Sequence, residues 1–209
     1  MSKLYFRYGA MNSGKSTALL QVAFNYEERG QRVLLAKPQV DTKGESKVVS
    51  RLGHERDVDF LIPHGTNVRD LYRGVAAGDD PDAILEHVDV APVACLLVDE
   101  AQFLEPSQVE DLFRIAVFDG VPVIAYGIRT DFLTRAFPGS ARLLDLAHSL
   151  EELKTICRCG RKAIFNTRRV GGEFVFSGDQ VAIDGSQEIT YESLCGNCYL
   201  EASGGRLGS

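Results

Sequence analysis

The stretch GAMNSGKS, Gly9 to Ser16, follows the pattern G-x-x-x-x-G-K-[ST] of a phosphate-binding loop. The glycines let the backbone turn tightly and approach a polyphosphate, and successive N–H groups then form a concave anion site. Lys15 adds a positive charge toward the terminal phosphates, and the Ser16 hydroxyl is a ligand for Mg²⁺. LYFRY (Leu4–Tyr8) predicts a buried strand before the loop, and TALLQVAFNYEERG predicts a helix after it that ends at Gly30. The order strand, loop, helix favours a phosphate loop over a glycine turn with an incidental lysine.

A second informative stretch is ACLLVDEAQFL, in which Cys95–Val98 predicts a buried parallel strand. Asp99 and Glu100 follow at its C-terminal end, where open α/β sheets bind their ligands. Asp99 is the expected Mg²⁺ residue, directly or through water, and the alternative is an ordinary acid in a turn. Glu100 is placed to accept a proton from an attacking hydroxyl or water, and the alternative is a solvated or salt-bridged acid.

The remaining pattern predicts an α/β fold with a parallel sheet flanked by helices, because short apolar strands alternate with amphipathic segments. RVLLAKP (Arg32–Pro38) and VPVIAYGI are further strands. The other predictions, in chain order, are a loop over 41–57, a strand at VDFLIP, a helix capped by Asn67 and ended by Gly78, a short helix from Pro81, a helix with Ser107 as cap and Gly120 as stop, and a helix followed by a last strand over 140–156.

Two cysteine pairs near the C-terminus, Cys157 with Cys159 and Cys195 with Cys198, predict a structural zinc site. Zn²⁺ prefers four thiolates in a tetrahedron, and a site closed by four cysteines leaves no position for catalysis. The first pair is one residue shorter than the usual C-x₂-C, so free thiols are the alternative. The expected division is a nucleotide-binding domain over 1–150, a small zinc ribbon over 151–203 and a disordered tail over 204–209.

Composition narrows the class of protein. Of 209 residues, 44% are hydrophobic and 25% charged, which is ordinary for a globular domain, and the net charge is −6. A net negative charge does not favour a protein whose main role is to bind the phosphate backbone of nucleic acid. No apolar run is long enough to span a membrane. With no apolar signal segment at the N-terminus, we expect a cytoplasmic protein without nucleic-acid or membrane partners.

Two phenylalanines follow strand ends that face the expected ligand crevice. Phe103 and Phe132 each have a ring able to stack on a planar base, although a phenylalanine is more often part of a core.

Taken together, the motifs GAMNSGKST, LLVDEAQF, YGIRTDF, KTICRCG and YESLCGNC resemble those of the type II thymidine kinases along the whole chain. The short C-x-C pair also fits one branch of that family. The resemblance implies a RecA-like phosphate-loop sheet and a C-terminal zinc domain, whose lasso loop over 181–191 closes on the nucleoside. It also implies transfer of the γ-phosphate of ATP to the 5′-hydroxyl of thymidine in nucleotide salvage for DNA synthesis, and it leaves open whether deoxyuridine is also an acceptor. Mg²⁺ with ATP, a structural Zn²⁺, feedback inhibition by deoxythymidine triphosphate and a homotetramer are implied as well.

The resemblance also carries site roles onto matching positions. Lys15 and Glu100 are the catalytic residues, with Glu100 as general base, and Ser16 with Asp99 serve Mg²⁺. The expected ATP-binding residues are Gly9, Ala10, Met11, Asn12, Ser13, Gly14, Lys15, Ser16, Asp99, Glu100, Ala101 and Gln102. The expected nucleoside-binding residues are Met11, Phe103, Ile128, Phe132, Ala182, Ile183 and Tyr191, and the zinc ligands are Cys157, Cys159, Cys195 and Cys198.

Three departures from the family pattern leave roles open. Lys43 stands where the family has an arginine, and a lysine keeps the charge but lacks the bidentate fork. The lasso has Asp184 where glycine is common and is longer before Tyr191. The residue that helps to hold the base edge before the lasso is either Asn166 or Thr167.

Two other classes of function compete with a nucleoside kinase. DEAQ resembles a helicase box, which suggests a nucleic-acid-stimulated ATPase, but the chain holds one RecA-like unit and is acidic. A non-enzymatic zinc-ribbon module is disfavoured by the intact phosphate loop.

Overall fold

The computed structural model describes residues 1–40, 46–78, 91–178 and 189–208. The predicted helix from Pro81 and most of the predicted lasso lie outside these ranges. The elements of the larger unit are β1 (Leu4–Tyr8), α1 (Lys15–Glu27), β2 (Arg32–Pro38), β3 (Lys47–Val49), β4 (Glu55–Asp57), β5 (Phe60–Ile62), α2 (Val68–Ala77), β6 (Val93–Val98), α3 (Pro106–Arg114), β7 (Val123–Gly127), α4 (Pro138–Leu146) and β8 (Ser149–Glu152).

Six strands form one parallel sheet in the order β5-β2-β6-β7-β1-β8. This confirms the predicted α/β class with a parallel sheet flanked by helices. The register pairs Tyr8 with Gly127 and Val98 with Ala125, so β1, β6 and β7 end at the same edge. The phosphate loop, the Asp99–Glu100 pair and the segment after β7 therefore leave the sheet side by side.

Helices cover both faces of the sheet because its strands are apolar on both sides. Leu4 and Phe6 of β1 are buried in the layer that contains α2, α3 and α4. Tyr5 packs in the opposite layer against α1, whose buried residues are Leu19 and Ala23. Alternate residues of a strand point to opposite faces, so one short strand supplies both cores. Among the described residues, no helix is long and apolar enough to cross a membrane.

The C-terminal unit consists of β9 (Thr155–Ile156), β10 (Lys162–Ala163), β11 (Phe165–Val170), β12 (Glu173–Val175), β13 (Ile189–Leu194) and α5 (Gly196–Ser203). Its three-stranded antiparallel sheet has the order β12-β11-β13, and its own core contains Leu194 and Tyr199. The parallel sheet extends to Glu152 through the β1–β8 pairing. The division into domains at residue 150 and the disorder of the tail stay predictions.

Two sequence predictions were wrong. The expected loop over 41–57 contains an antiparallel hairpin, in which β3 pairs with β4 and Val48 is the one buried residue of the two strands. Such short polar strands have no alternation that a sequence reading detects. The helix after β6 begins at Pro106 with Glu105 as its cap, so Ser107 lies inside its first turn. It then continues as a π-helical segment, Ile115–Asp119, before Gly120 ends it as predicted.

Candidate active site and metal centre

The phosphate loop has the backbone shape that its sequence demands. Gly14 adopts a left-handed conformation with φ 78°, and Asn12 does so with φ 67°. A Cβ on Gly9 would lie 2.4 Å from the Ser13 side chain and 2.5 Å from the Leu153 carbonyl, so only glycine fits there. No side chain caps the start of α1. The first N–H groups of that helix are thus oriented toward the loop and suited to an anion.

Lys15 folds back over the loop that precedes it. Its Nζ donates to the Ala10 carbonyl at 3.0 Å, which fixes the ammonium against the loop backbone. Burial lowers the pKa of Lys15, while the carboxylates of Glu100 and Asp99 act in the opposite direction. The ammonium therefore lies close enough to both acids for their charges to act on it.

Asp99 and Ser16 converge on one point at the end of β6. The Ser16 Oγ lies 3.4 Å from Asp99 Oδ2, and Asp99 is buried. Burial, together with the nearby charge of Glu100, raises the pKa of Asp99 to about 7. A cation at this point would offset both effects, and a hydroxyl with a carboxylate is the donor set that Mg²⁺ takes in phosphate-loop enzymes.

Glu100 has a strained backbone and a side chain that a neighbour orients. Its φ of 49° and ψ of 35° are left-handed, a conformation that non-glycine residues hold mainly where function requires it. The side-chain amide of Gln102 donates to the Glu100 carboxylate, and its Oε1 accepts from Ile128 N at 3.2 Å. Gly127 leaves room for this bridge, because a Cβ there would lie 2.8 Å from Gln102 Oε1. Gln102 thus orients Glu100 and links the ends of β6 and β7.

A cavity of about 990 Å³ lies over this edge of the sheet. Residues from the phosphate loop, the β6 and β7 ends, and the hairpin share its wall. They include Met11, Asn12, Gly14, Lys15, Ser16, Glu100, Gln102, Phe103, Ile128, Arg51 and Leu52. Of the other predicted ATP residues, Ala101 is buried against Gly139, and Gly9, Ala10 and Ser13 form the loop behind Lys15.

The C-terminal unit holds the phosphate loop in place. Asn166 Oδ1 accepts from Met11 N at 2.7 Å, and its Nδ2 donates to Thr130 O at 2.8 Å. The Ser193 hydroxyl donates to Met11 O at 2.5 Å. Asn166 and Ser193 are paired across β11 and β13. Together they bind both the backbone N–H and the backbone carbonyl of Met11 in the phosphate loop.

The four predicted zinc ligands come together in this unit. Their sulfurs all lie within 4.8 Å of one another, and Cys159 Sγ is 3.5 Å from Cys195 Sγ. A tetrahedral Zn²⁺ about 2.3 Å from each sulfur requires sulfurs about 3.8 Å apart, so the spacing fits. Burial acts to raise the pKa of Cys157, but N–H groups of Cys159 and Cys195 outweigh it and bring that pKa to about 7. The cluster can hold a zinc ion.

Comparison with known proteins agrees with this geometry. The family profile described as "Thymidine kinase" matches residues 2–199. Relatives named "Thymidine kinase" include one from Idiomarina loihiensis, 47% identical over 98% of this chain and 99% of its own. Another, from Chromobacterium violaceum, is 46% identical over 95% of this chain and 98% of its own. A third, from Ruegeria pomeroyi, is 43% identical over 98% of this chain and 96% of its own.

The chain belongs to the thymidine kinase family.

Membership in the thymidine kinase family confirms the resemblance inferred from the motifs. In this chain, Met11, Phe103 and Ile128 line the cavity, as expected for residues near a nucleoside. Ala182 and Ile183 lie outside the described residues, as do Lys43 and Asp184.

Phe132 is placed differently from the other expected base contacts. Its ring is buried, and the Arg168 guanidinium lies 3.9 Å from the ring centroid. Tyr191 pairs with Arg168 across β11 and β13, so Phe132, Arg168 and Tyr191 lie close to one another. Thr167, the alternative to Asn166 for the base edge, uses its hydroxyl within the C-terminal sheet, where Oγ1 donates to Glu192 O at 2.8 Å.

Sequence reasoning missed the roles of Gln102, Ser193 and Arg168. Gln102, an expected ATP-binding residue that lines the cavity, also bridges Glu100 and Ile128. Ser193 and Arg168 sit in polar strands without a motif of their own. The register of the C-terminal sheet brings Ser193 to the phosphate loop and Arg168 to Phe132, and no local pattern encodes that register.

Proposed function

We propose that this member of the thymidine kinase family transfers the γ-phosphate of ATP to the 5′-hydroxyl of thymidine, with deoxyuridine as a second acceptor. The observation that carries the proposal is the arrangement of Lys15, the Ser16–Asp99 pair and Glu100 around one end of the sheet. Phosphoryl transfer requires positioning and charge stabilisation more than covalent chemistry, and this arrangement supplies both.

On the donor side, the loop amides from Gly9 to Ser16 would bind the β- and γ-phosphates, with Lys15 neutralising their charge. Ser16 and Asp99 would hold the Mg²⁺ that accompanies ATP. When bound, that ion draws charge from the phosphate oxygens as the transferring bond lengthens. The closeness of the two side chains, 3.4 Å, supports this role.

On the acceptor side, Glu100 would accept the proton of the attacking 5′-hydroxyl. Its carboxylate is aimed by the Gln102 amide, and both residues line the cavity. An aimed carboxylate at the end of a strand is the geometry that a general base needs. Met11, Ile128, Phe132 and Tyr191 would surround the base, together with Ala182 and Ile183 of the lasso.

Arg168 limits how a base could stack on Phe132. Arg168 covers one face of the ring, so the base would use the other face or take the place of the guanidinium. Either route makes Arg168 part of the environment of the nucleoside.

The cysteine cluster would hold a structural Zn²⁺ that fixes β11 and β13 in register. Since these strands carry Asn166 and Ser193, the metal would support the phosphate loop without touching a substrate. A cytoplasmic homotetramer acting in pyrimidine salvage for DNA synthesis, and inhibited by deoxythymidine triphosphate, completes the proposal on the basis of the family resemblance.

A coupled assay that detects ADP would test the proposal. The purified protein is given Mg-ATP with thymidine, deoxyuridine, deoxycytidine or deoxyadenosine in turn, and the products are identified by mass. We expect thymidine 5′-monophosphate, a smaller rate with deoxyuridine, and loss of both on Lys15→Ala with the fold retained. ATP hydrolysis that single-stranded DNA stimulates and thymidine does not would instead support the nucleic-acid-stimulated ATPase.

A further inference from the structure

The cavity has a second basic wall, formed by the turn between β3 and β4. Ser50 N donates to His54 O at 2.8 Å, and His54 N donates to Ser50 Oγ at 3.2 Å. Gly53 closes the turn with a left-handed φ of 84° and a bond to Ser50 O at 3.0 Å. Because Ser50 is buried, the tip of the hairpin has a fixed shape.

This turn brings Arg51 and Leu52 to the cavity that Lys15 and Ser16 also line. The charge of Arg51 is close enough to Lys15 to act on its pKa, in the direction that lowers it. Two like charges that face one cavity repel each other, and an anion between them would remove that cost.

Arg51 also differs in its contacts from seven of the sixteen arginines of the chain. Arg7, Arg56, Arg69, Arg73, Arg114, Arg142 and Arg169 each form an ion pair with a carboxylate. Within the described residues, Arg51 forms none, although it stands beside a site built for phosphates. A guanidinium offers phosphate two parallel hydrogen bonds, which makes this side chain suited to the polyphosphate of a nucleotide.

We propose that Arg51 contacts the terminal phosphates of the phosphate donor, which the phosphate loop also binds. The proposal rests on the proposed function, of which it specifies the donor site. It also bears on Lys43, which stands where the resemblance implies an arginine. Arg51 supplies a guanidinium at the cavity, at a position that the family motif did not single out.

The test measures binding of Mg-ATP and of inorganic tripolyphosphate by calorimetry, without nucleoside, at about 0.15 M salt. Arg51→Gln removes the charge and the fork, and Arg51→Lys keeps the charge alone. Lys47→Gln is the matched control, because it removes one positive charge from the same hairpin and Lys47 pairs with Glu55 away from the cavity. Thermal unfolding of each variant is recorded alongside.

We expect Arg51→Gln to weaken both ligands by about 10–100-fold, the range for a hydrogen bond to a charged group. The affinity of Arg51→Lys for both ligands should lie between those of the parent and of Arg51→Gln. The affinity for thymidine should not change in either variant. Lys47→Gln should alter ATP affinity by less than about twofold, as for an exposed ion pair.

The inference is overturned if Arg51→Gln binds both probes within about twofold of the parent, or if Lys47→Gln weakens them equally, since general attraction would then suffice. A parent that binds ATP and tripolyphosphate but phosphorylates no nucleoside would refute the proposed function alone. The same titrations would still decide the role of Arg51. A parent that binds neither probe would refute both.

Discussion

Replacement of Asn166 by alanine tests whether the C-terminal unit holds the phosphate loop in its working shape. The side chain is 3% exposed and makes two hydrogen bonds, at 2.7 Å from Met11 N and at 2.8 Å to Thr130 O. Asn166→Ala leaves both backbone groups without this partner. Each buried polar group without a partner costs about 1–3 kcal/mol, and two such groups result here. Because water would partly hydrate them, we expect the free energy of unfolding to fall by about 2–4 kcal/mol.

For a chain of this length, that loss corresponds to a decrease in Tm of roughly 4–16 °C. Met11 N lies within the loop itself, so ATP binding should weaken by about tenfold, equivalent to about 1.4 kcal/mol of lost pre-organisation. The measurements are thermal unfolding without ligand and the KM for ATP at saturating thymidine.

Asn25→Ala is the matched control. Asn25 is exposed on α1, where its side chain accepts from Gln21 Nε2 at 2.9 Å, and surface substitutions of this kind change stability by about 0.5 kcal/mol or less. If Asn166→Ala keeps its Tm within about 2 °C of the parent and its KM for ATP within about twofold, the two contacts do not hold the loop and the reasoning fails.

The remaining predictions concern the carboxylates and the metal. Glu100→Gln should lower kcat by about 10²–10⁴-fold with little change in the affinity for thymidine or Mg-ATP, and turnover within about threefold of the parent would show that the proton goes elsewhere. Burial raises the pKa of Asp99 to about 7 from 3.8, so its contribution to stability is fully present below pH 3.8 and is lost as pH rises through 7. Without Mg²⁺, the Tm of the parent should therefore fall between pH 5 and pH 8 relative to the Tm of Asp99→Asn. The Asp99→Asn variant should also lose its response to Mg²⁺. If the Tm of the parent and the Tm of the variant change in parallel with pH, the assignment is contradicted. Metal analysis should find one zinc per chain, bound by Cys157, Cys159, Cys195 and Cys198, and chelation should unfold the C-terminal unit first because its core is small. Protein purified without chelator that contains no zinc would refute the metal site.

Local physics was sufficient for much of the fold and for the centre of the candidate site. The glycines and Lys15 of the phosphate loop specify a backbone turn and a charge within eight residues, and the structure forms that turn. Asn67 and Gly78 bound α2 as predicted, because caps act through the nearest turn of the helix. The short spacing within each cysteine pair indicated a metal site, and the four thiols do lie together.

Tertiary structure alone decided how the parts of the site support one another. Asn166 is more than 150 residues from Met11, and the hydrogen bond between them follows from the docking of one sheet on the end of another. The hairpin that brings Arg51 to the cavity has little apolar periodicity, and its position depends on the packing of Val48 beside α1. Sequence patterns report short-range periodicity and the geometry of turns. Contacts across long separations depend on register and docking, which no local window contains.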